Sequence, residues 1–308
     1  MRKNDTPNPE LSYASRVREE IYLSRPSRNA HYKAFCYGLL LMGRRFDAQT
    51  AFLSTEDLTV SKLYGFAVRD MCGVKARFFE QTTPRGKTLY TVRLDDVQAL
   101  EKLMHAFSHG EDTPNRALME DDELPQFLAG AFLSCGTVSE PSKSYHLELL
   151  PPTDALCDLL FEVLSTAGYP PKSSVRRGQT VLYYKESEPI EDLLTMMGAV
   201  KCSLSLMELK IYKDLRNRAN RATNCETANI DKLVKTSKRQ LAEIAFLREE
   251  GILETLPQEL FEVARLREEH PDASLSELAE LSGVTRSGIN HRLTRLVNFA
   301  AKARERKE

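Results

Sequence analysis

The chain has 308 residues, 42% of them hydrophobic, which is too long for one ordinary domain and rich enough in apolar side chains for real cores in two or three. Its longest nearly unbroken apolar run, Ala34 to Met42, is about half the roughly 20 residues a membrane span needs, and the opening MRKNDTPNPE has no signal-peptide apolar core. The expectation is therefore a cytoplasmic protein with no membrane partner. A formal net charge of −1 neither suggests nor excludes a nucleic-acid partner, so the distribution of charge must decide.

Residues 1–14 read as a disordered tail, and two αβαββα repeats follow, over 15–107 and 124–200. In the first, His31 to Met42 is an apolar helix and Val60 to Cys72 a second helix. Val74 to Gln81 and Lys87 to Leu94 alternate like a hairpin with Pro84 and Gly86 in its turn, and a helix runs from Asp95 to about Phe107. The joining piece, 108–123, is polar, acidic and broken by Pro114, as a solvated linker would be. Between Asp95 and Leu124 nine acidic residues face two basic ones.

In the second copy Leu124 to Cys135 is the apolar helix, Tyr145 to Leu150 a strand, and Thr153 to Ala167 a helix stopped at Gly168. Ser173 to Arg177 and Thr180 to Lys185 form a hairpin around Gly178, and Glu191 begins the last helix. Small residues in the apolar helices, Gly38 and Gly43 in one and Ala129, Gly130, Ala131 and Gly136 in the other, suit two backbones packed very close. The strands of both copies are expected to form one curved, saddle-like sheet. Lys75, Arg77, Arg85, Lys87, Lys172, Arg176, Arg177 and Lys185 lie on or beside them, with Arg176 and Arg177 singled out as candidate phosphate contacts.

Residues 201–254 read as a basic helical connector, with helices over Leu209 to Arg221 and Asn229 to Glu249. From Lys210 to Arg239 nine basic residues stand against three acidic ones. Lys210, Lys213, Arg216, Arg218 and Arg221 recur at helical spacing and are candidates for phosphate contact; the plainer reading is a solvated linking helix.

Residues 255–301 carry the strongest motif. A helix from Pro257 to about Glu269 supplies Leu260, Val263, Ala264 and Leu266 to a three-helix core. Then LSELAELSGVTRSGINHRLT, Leu275 to Thr294, fits a helix-turn-helix: Ala279 where the helices cross, Gly283 in the turn, Ile289 in the core. Ser274 with Glu277 makes a capping box, and Thr285 suits the second N-cap. Ile289, Leu293, Leu296 and Val297 form one apolar stripe. Thr285, Arg286, Ser287, Asn290, His291, Arg292, Thr294 and Arg295 then offer donors to the base edges and phosphates of double-stranded DNA. Residues 302–308 are a charged tail.

Six cysteines lie far apart, with no CxxC pair and no zinc-ligand spacing, so they read as reduced, and neither a metal nor another cofactor is expected. No small-molecule substrate is suggested.

The segment LAGAFLSCG, Leu128 to Gly136, resembles the LAGLIDADG helix of homing endonucleases. The resemblance implies an acidic residue at the eighth position of each helix, holding a divalent metal against the scissile phosphate. Counting back from Gly43 and Gly136, those positions hold Met42 and Cys135, soft ligands that cannot replace carboxylates on magnesium, so no enzymatic activity is expected. Only a carboxylate reaching the helix junction from elsewhere would revive cleavage.

RNRANRATNCETANIDK (Arg216 to Lys232), LAGAFLSCGTVSEPSKSYHLEL (Leu128 to Leu149) and the helix-turn-helix together resemble the WhiA family. That resemblance implies an α+β fold, a catalytically silent LAGLIDADG-like domain followed by an all-α helix-turn-helix. It also implies a nucleoid-associated, transcription-linked regulator of sporulation in some bacteria and of cell division and chromosome segregation in others. The alternative is a scaffold docking on a protein partner through the saddle.

Overall fold

The computed structural model describes residues 11–27, 31–84, 86–110 and 113–306. The first ten residues of the expected tail, Arg85, the linker residues Glu111 and Asp112, and the last two residues lie outside them. Two compact units divide after Tyr212.

The first unit opens with α1 (Tyr13–Ser24), whose first two residues fall within the expected tail. Its signal was present: Ser12 accepts from Ser15 N as N-cap, and Tyr13, Val17 and Ile21 recur every four residues and are all buried. The first repeat then runs α2 (Tyr32–Leu41), β1 (Arg45–Phe46), β2 (Ala51–Thr55), α3 (Leu58–Cys72), β3 (Arg77–Thr82), β4 (Thr88–Leu94) and α4 (Val97–Phe107). The second runs α5 (Leu124–Cys135), β5 (Gly136–Val138), β6 (Leu147–Leu149), α6 (Asp154–Thr166), β7 (Lys172–Arg176), β8 (Gln179–Tyr184) and α7 (Ser187–Met196).

Each copy is thus αββαββα, one strand more than expected. β1 and β5 have only two and three residues, too few to show a period of two. The single curved sheet is also corrected: there are two four-stranded antiparallel sheets, ordered β1-β2-β4-β3 and β5-β6-β8-β7. Both short strands are sheet edges, pairing on one side only, and among the described residues no ladder joins the copies.

α2 and α5 are apolar all round and accordingly buried: every residue of α2 from Ala34 to Leu41 is inside the core. Their crossing is set by two glycines. A Cβ on Gly38 would lie 2.0 Å from the Phe127 carbonyl oxygen and 2.9 Å from Ala131 N, and one on Gly130 would lie 2.0 Å from the Phe35 carbonyl oxygen and 2.7 Å from Leu39 N. The two sets of contacts are related by exchanging Gly38 with Gly130, which makes the crossing the pseudo-twofold axis of the duplicated domain.

The linker over 108–123 is docked, not solvated as expected. Met119 is fully buried, Asn115 N donates to the Tyr37 hydroxyl at 2.8 Å, and that hydroxyl pairs with His109 Nδ1 at 2.7 Å. Arg116 forks onto both oxygens of Glu162 at 2.8 and 2.5 Å.

The connector is likewise one helix rather than two, α8 (Val200–Glu249). No proline or glycine interrupts it, and Glu20 of α1 caps its start, accepting from Lys201 N at 2.8 Å and Cys202 N at 2.9 Å. From Asp214 to Lys232 every side of it is exposed.

The second unit packs Ile244 and Leu247 of α8 against α9 (Gln258–Glu269), α10 (Leu275–Ser282) and α11 (Arg286–Glu305). Pro257 is the N-cap of α9, one position before the expected N1. The core is Leu260, Val263, Ala264, Leu278, Ile289, Leu293, Leu296 and Ala300, while Leu266 and Val297 sit half-buried at its edge.

Gly38→Ala is expected to force α2 and α5 apart, at a cost of at least ~1–3 kcal/mol, measured as a lower urea midpoint. Gly65→Ala is the control: its methyl would meet Val92 Cγ1 at an ordinary 3.6 Å inside α3, so no loss is expected. A Gly38→Ala protein as stable as wild type would contradict the crossing.

Candidate nucleic-acid interface

Where α2 and α5 end, a cleft of about 240 Å³ is lined by Met42, Gly43, Arg44, Ser134, Cys135, Gly136, Thr137, Glu148, Leu150 and Pro152. Carrying the Gly38–Gly130 pairing to the helix ends places Gly43, rather than Met42, opposite Cys135, and Met42 opposite Ser134. The frame counted from the glycines is one residue out in the first helix. None of these four positions carries a carboxylate. Met42 is 1% exposed and belongs to the core. Burial pushes the Cys135 thiol up to about 12, so it is protonated at neutral pH.

One carboxylate from elsewhere does reach the cleft. Glu148, on β6, accepts from His146 Nε2 at 2.6 Å and pairs with Arg176 at 2.9 Å. It is a single acid engaged by two partners, and among the described residues no group of three or more metal-ligating side chains is assembled.

Several cations on or beside the strands pair with nearby carboxylates. Arg77 and Arg93 both engage Asp95, Arg93 at 2.6 Å, and with Thr50 they hold its carboxyl down at about 2. Lys87 pairs with Glu56 and Lys172 with Glu186, each at 2.6 Å, and Lys185 lies over the Tyr183 ring. Arg177 stands in the two-residue β7–β8 turn with φ of 54°. On α8, Lys210 is drawn to Glu188 at 3.3 Å and Glu191 at 3.8 Å. Lys213 is half-buried, and Arg216, Arg218 and Arg221 are exposed.

The helix-turn-helix is built from local rules. Ser274 and Glu277 form a complete capping box at α10. Gly283 takes a φ of 69° where α10 ends, a left-handed turn that a Cβ would strain. Thr285 caps α11 by accepting from Gly288 N at 3.2 Å. A residue the sequence reading passed over fixes the preceding loop: Arg267, 2% exposed, donates to the Ala273 carbonyl at 2.6 Å, with longer reaches to His270 and Pro271. Nothing in the local pattern marked that arginine as buried.

With Ile289, Leu293 and Leu296 turned inward, α11 presents Arg286, Ser287, Asn290, His291 and Thr294 outward, all exposed, with the capping Thr285 just before them. Thr294 spends its hydroxyl proton on the Asn290 carbonyl at 2.7 Å. Arg292 and Arg295 are half-buried because both turn onto Glu259 of α9, at 3.6 and 2.9 Å. The outward face is polar, donor-rich and borne on a rigid helix, as insertion into a major groove requires.

A family model described as "WhiA LAGLIDADG-like domain" matches residues 124–216, and one described as "WhiA C-terminal HTH domain" matches 219–300. The chain is 32% identical over 314 residues to "Probable cell division protein WhiA" of Clostridium novyi, covering 96% of this chain and 99% of that one. The like-named protein of Pediococcus pentosaceus is 32% identical over 310 residues, 96% of this chain and 100% of its own. That of Desulforamulus reducens is 36% identical over 271 residues, 84% and 82%. Among solved structures, full-length DUF199/WhiA from Thermatoga maritima aligns with a TM-score of 0.56 at 18% identity, covering 95% of this chain and 99% of that one. At that identity the likeness speaks for the fold.

Because Thr285 supplies the only side-chain cap that α11 makes at its start, Thr285→Ala should destabilise the second unit by about 1 kcal/mol. Thr285→Ser should restore most of it. Amide hydrogen exchange at Ser287 and Gly288 reads the effect directly; equal protection in wild type and Thr285→Ala would refute the cap's role.

Proposed function

The chain belongs to the WhiA family, and from that premise we propose that it is a sequence-specific binder of double-stranded DNA that acts at the nucleoid as a transcription-linked regulator of cell division and chromosome segregation, and does not cut the DNA it binds. The observation carrying this reading is the outward face of α11, where Arg286, Ser287, Asn290 and His291 stand exposed on a doubly capped helix-turn-helix. Arginine forks onto guanine and asparagine onto adenine in the major groove, so this face has the right chemistry for base edges. Arg216, Arg218 and Arg221 on the exposed stretch of α8 supply further cations for phosphates.

Silence toward strand cleavage rests on the helix ends. Strand scission by metal-held water needs hard oxygen ligands at the junction of the two helices. Met42, Gly43, Ser134 and Cys135 offer no carboxylate, the Ser134 hydroxyl donates to the Leu39 carbonyl, and Glu148 is tied to Arg176 and His146. The ion pairs on the sheets favour a second role for the first unit: Arg77, Lys87, Lys172 and Arg176, held by Asp95, Glu56, Glu186 and Glu148, are less available to a phosphate backbone than free cations. A protein partner suits those faces better.

The test is selection from a fluorescent genomic-fragment pool by the full chain and by Arg286→Ala/Asn290→Ala. Wild type should enrich a defined set of fragments, with affinity falling as salt rises, and the variant should lose about 10-fold or more on those fragments. Equal selection by the variant would move recognition away from α11.

A further inference from the structure

Glu259 lies in the first turn of α9, where the positive end of the helix dipole favours a carboxylate. Its two oxygens take two guanidiniums from the neighbouring helix: Oε1 meets Arg295 Nη1 at 2.9 Å and Oε2 meets Arg292 Nη2 at 3.6 Å. The two arginines are one turn apart on α11, so a single carboxylate spans both. The other α9 carboxylates are occupied elsewhere: Glu262 accepts from Gln258, Glu268 from Arg248, and Glu269 pairs with Arg265. Glu259 is thus the α9 acid directed at the proposed DNA-reading helix.

A guanidinium offers carboxylate and phosphate the same donors in the same fork. Arg292 and Arg295 flank the outward face of α11 on its α9 side, the position from which side chains reach the backbone bordering a groove. Building on the proposed DNA-binding role of α11, we propose that Glu259 is an internal stand-in for a DNA phosphate. It holds Arg292 and Arg295 when no DNA is bound and cedes them to a backbone phosphate when α11 enters the groove. An exposed ion pair is weak, so the exchange is easy, yet the displaced carboxylate stays close to the phosphate and repels it. That penalty falls on every sequence alike, and base contacts offset it only at a matched site. Glu259 therefore sets how tightly α11 holds any duplex, acting through the two arginines, and leaves the ratio between matched and unmatched sites unchanged.

Glu259→Gln keeps the side chain's size and removes its charge. In the full chain, binding to a duplex of arbitrary sequence should tighten about threefold to tenfold at low salt, with a log–log salt slope steeper by about one. In an Arg292→Ala/Arg295→Ala background the same substitution should have little effect, which separates a contact with these arginines from a general change in charge. Unchanged or weaker binding by Glu259→Gln, or a gain that persists without the arginines, would overturn this role and leave DNA binding by α11 standing. A wild-type chain that binds no duplex, arbitrary or selected from the genomic pool, would overturn both.

Discussion

Two backbones touch at Gly38 and Gly130, and the first unit is organised by that contact. At 2.0 Å from a carbonyl oxygen there is no room for a methyl group, so glycine is required on both sides of the crossing. Close approach brings the apolar helices α2 and α5 into one shared core and relates the two αββαββα copies by exchange. It also brings the C-terminal ends of both helices to a single cleft, with one sheet following each helix. The same unit then starts α8 through a carboxylate of α1, so that the long helix emerges from a fixed origin.

A scaffold of this kind could serve cleavage only if its converging helix ends supplied acids. Here they supply a buried thioether, a glycine, a hydroxyl and a protonated thiol, and Ser134 donates its hydroxyl to the Leu39 carbonyl at 2.5 Å, across the helix pair. None of the four is a carboxylate. In the proposed reading recognition belongs to the second unit, whose core is separate and whose geometry is fixed by caps and by buried Arg267. Charge is arranged differently in the two places: Arg77, Lys87, Lys172 and Arg176, on or beside the strands, are paired with carboxylates, whereas Arg216, Arg218 and Arg221 of α8 and Arg286 of α11 are exposed.

Features governed by local rules were legible in the sequence. The capping box at Ser274, the Thr285 cap, the turn at Gly283 and the span of α5 all follow from short-range preferences, and the structure has them where the residues indicated. The close-packed helix pair was legible because small residues on an apolar helix have few other uses. β1 and β5 were not, being too short for a period, and the division into two sheets depends on where those short edges stop pairing. The docked linker depends on Tyr37, far away in sequence, and its acidic composition concealed buried Met119. Register across the pseudo-twofold axis was equally out of reach: counting back from Gly43 gave Met42, while the crossing itself selects Gly43 as the counterpart of Cys135. The pairing of Arg292 and Arg295 with Glu259 is tertiary, and no spacing within α11 announces it.

The most direct test of the account is a hydroxyl-radical footprint of the full chain on a selected genomic fragment in magnesium, with both strands resolved. Intact strands are expected in magnesium before the radical is generated, and, after it, protection centred on the backbone flanking one major-groove segment of roughly one helical turn, about 10 base pairs. Magnesium-dependent breaks in the sample that received no radical would contradict this and return the α2–α5 junction to catalysis.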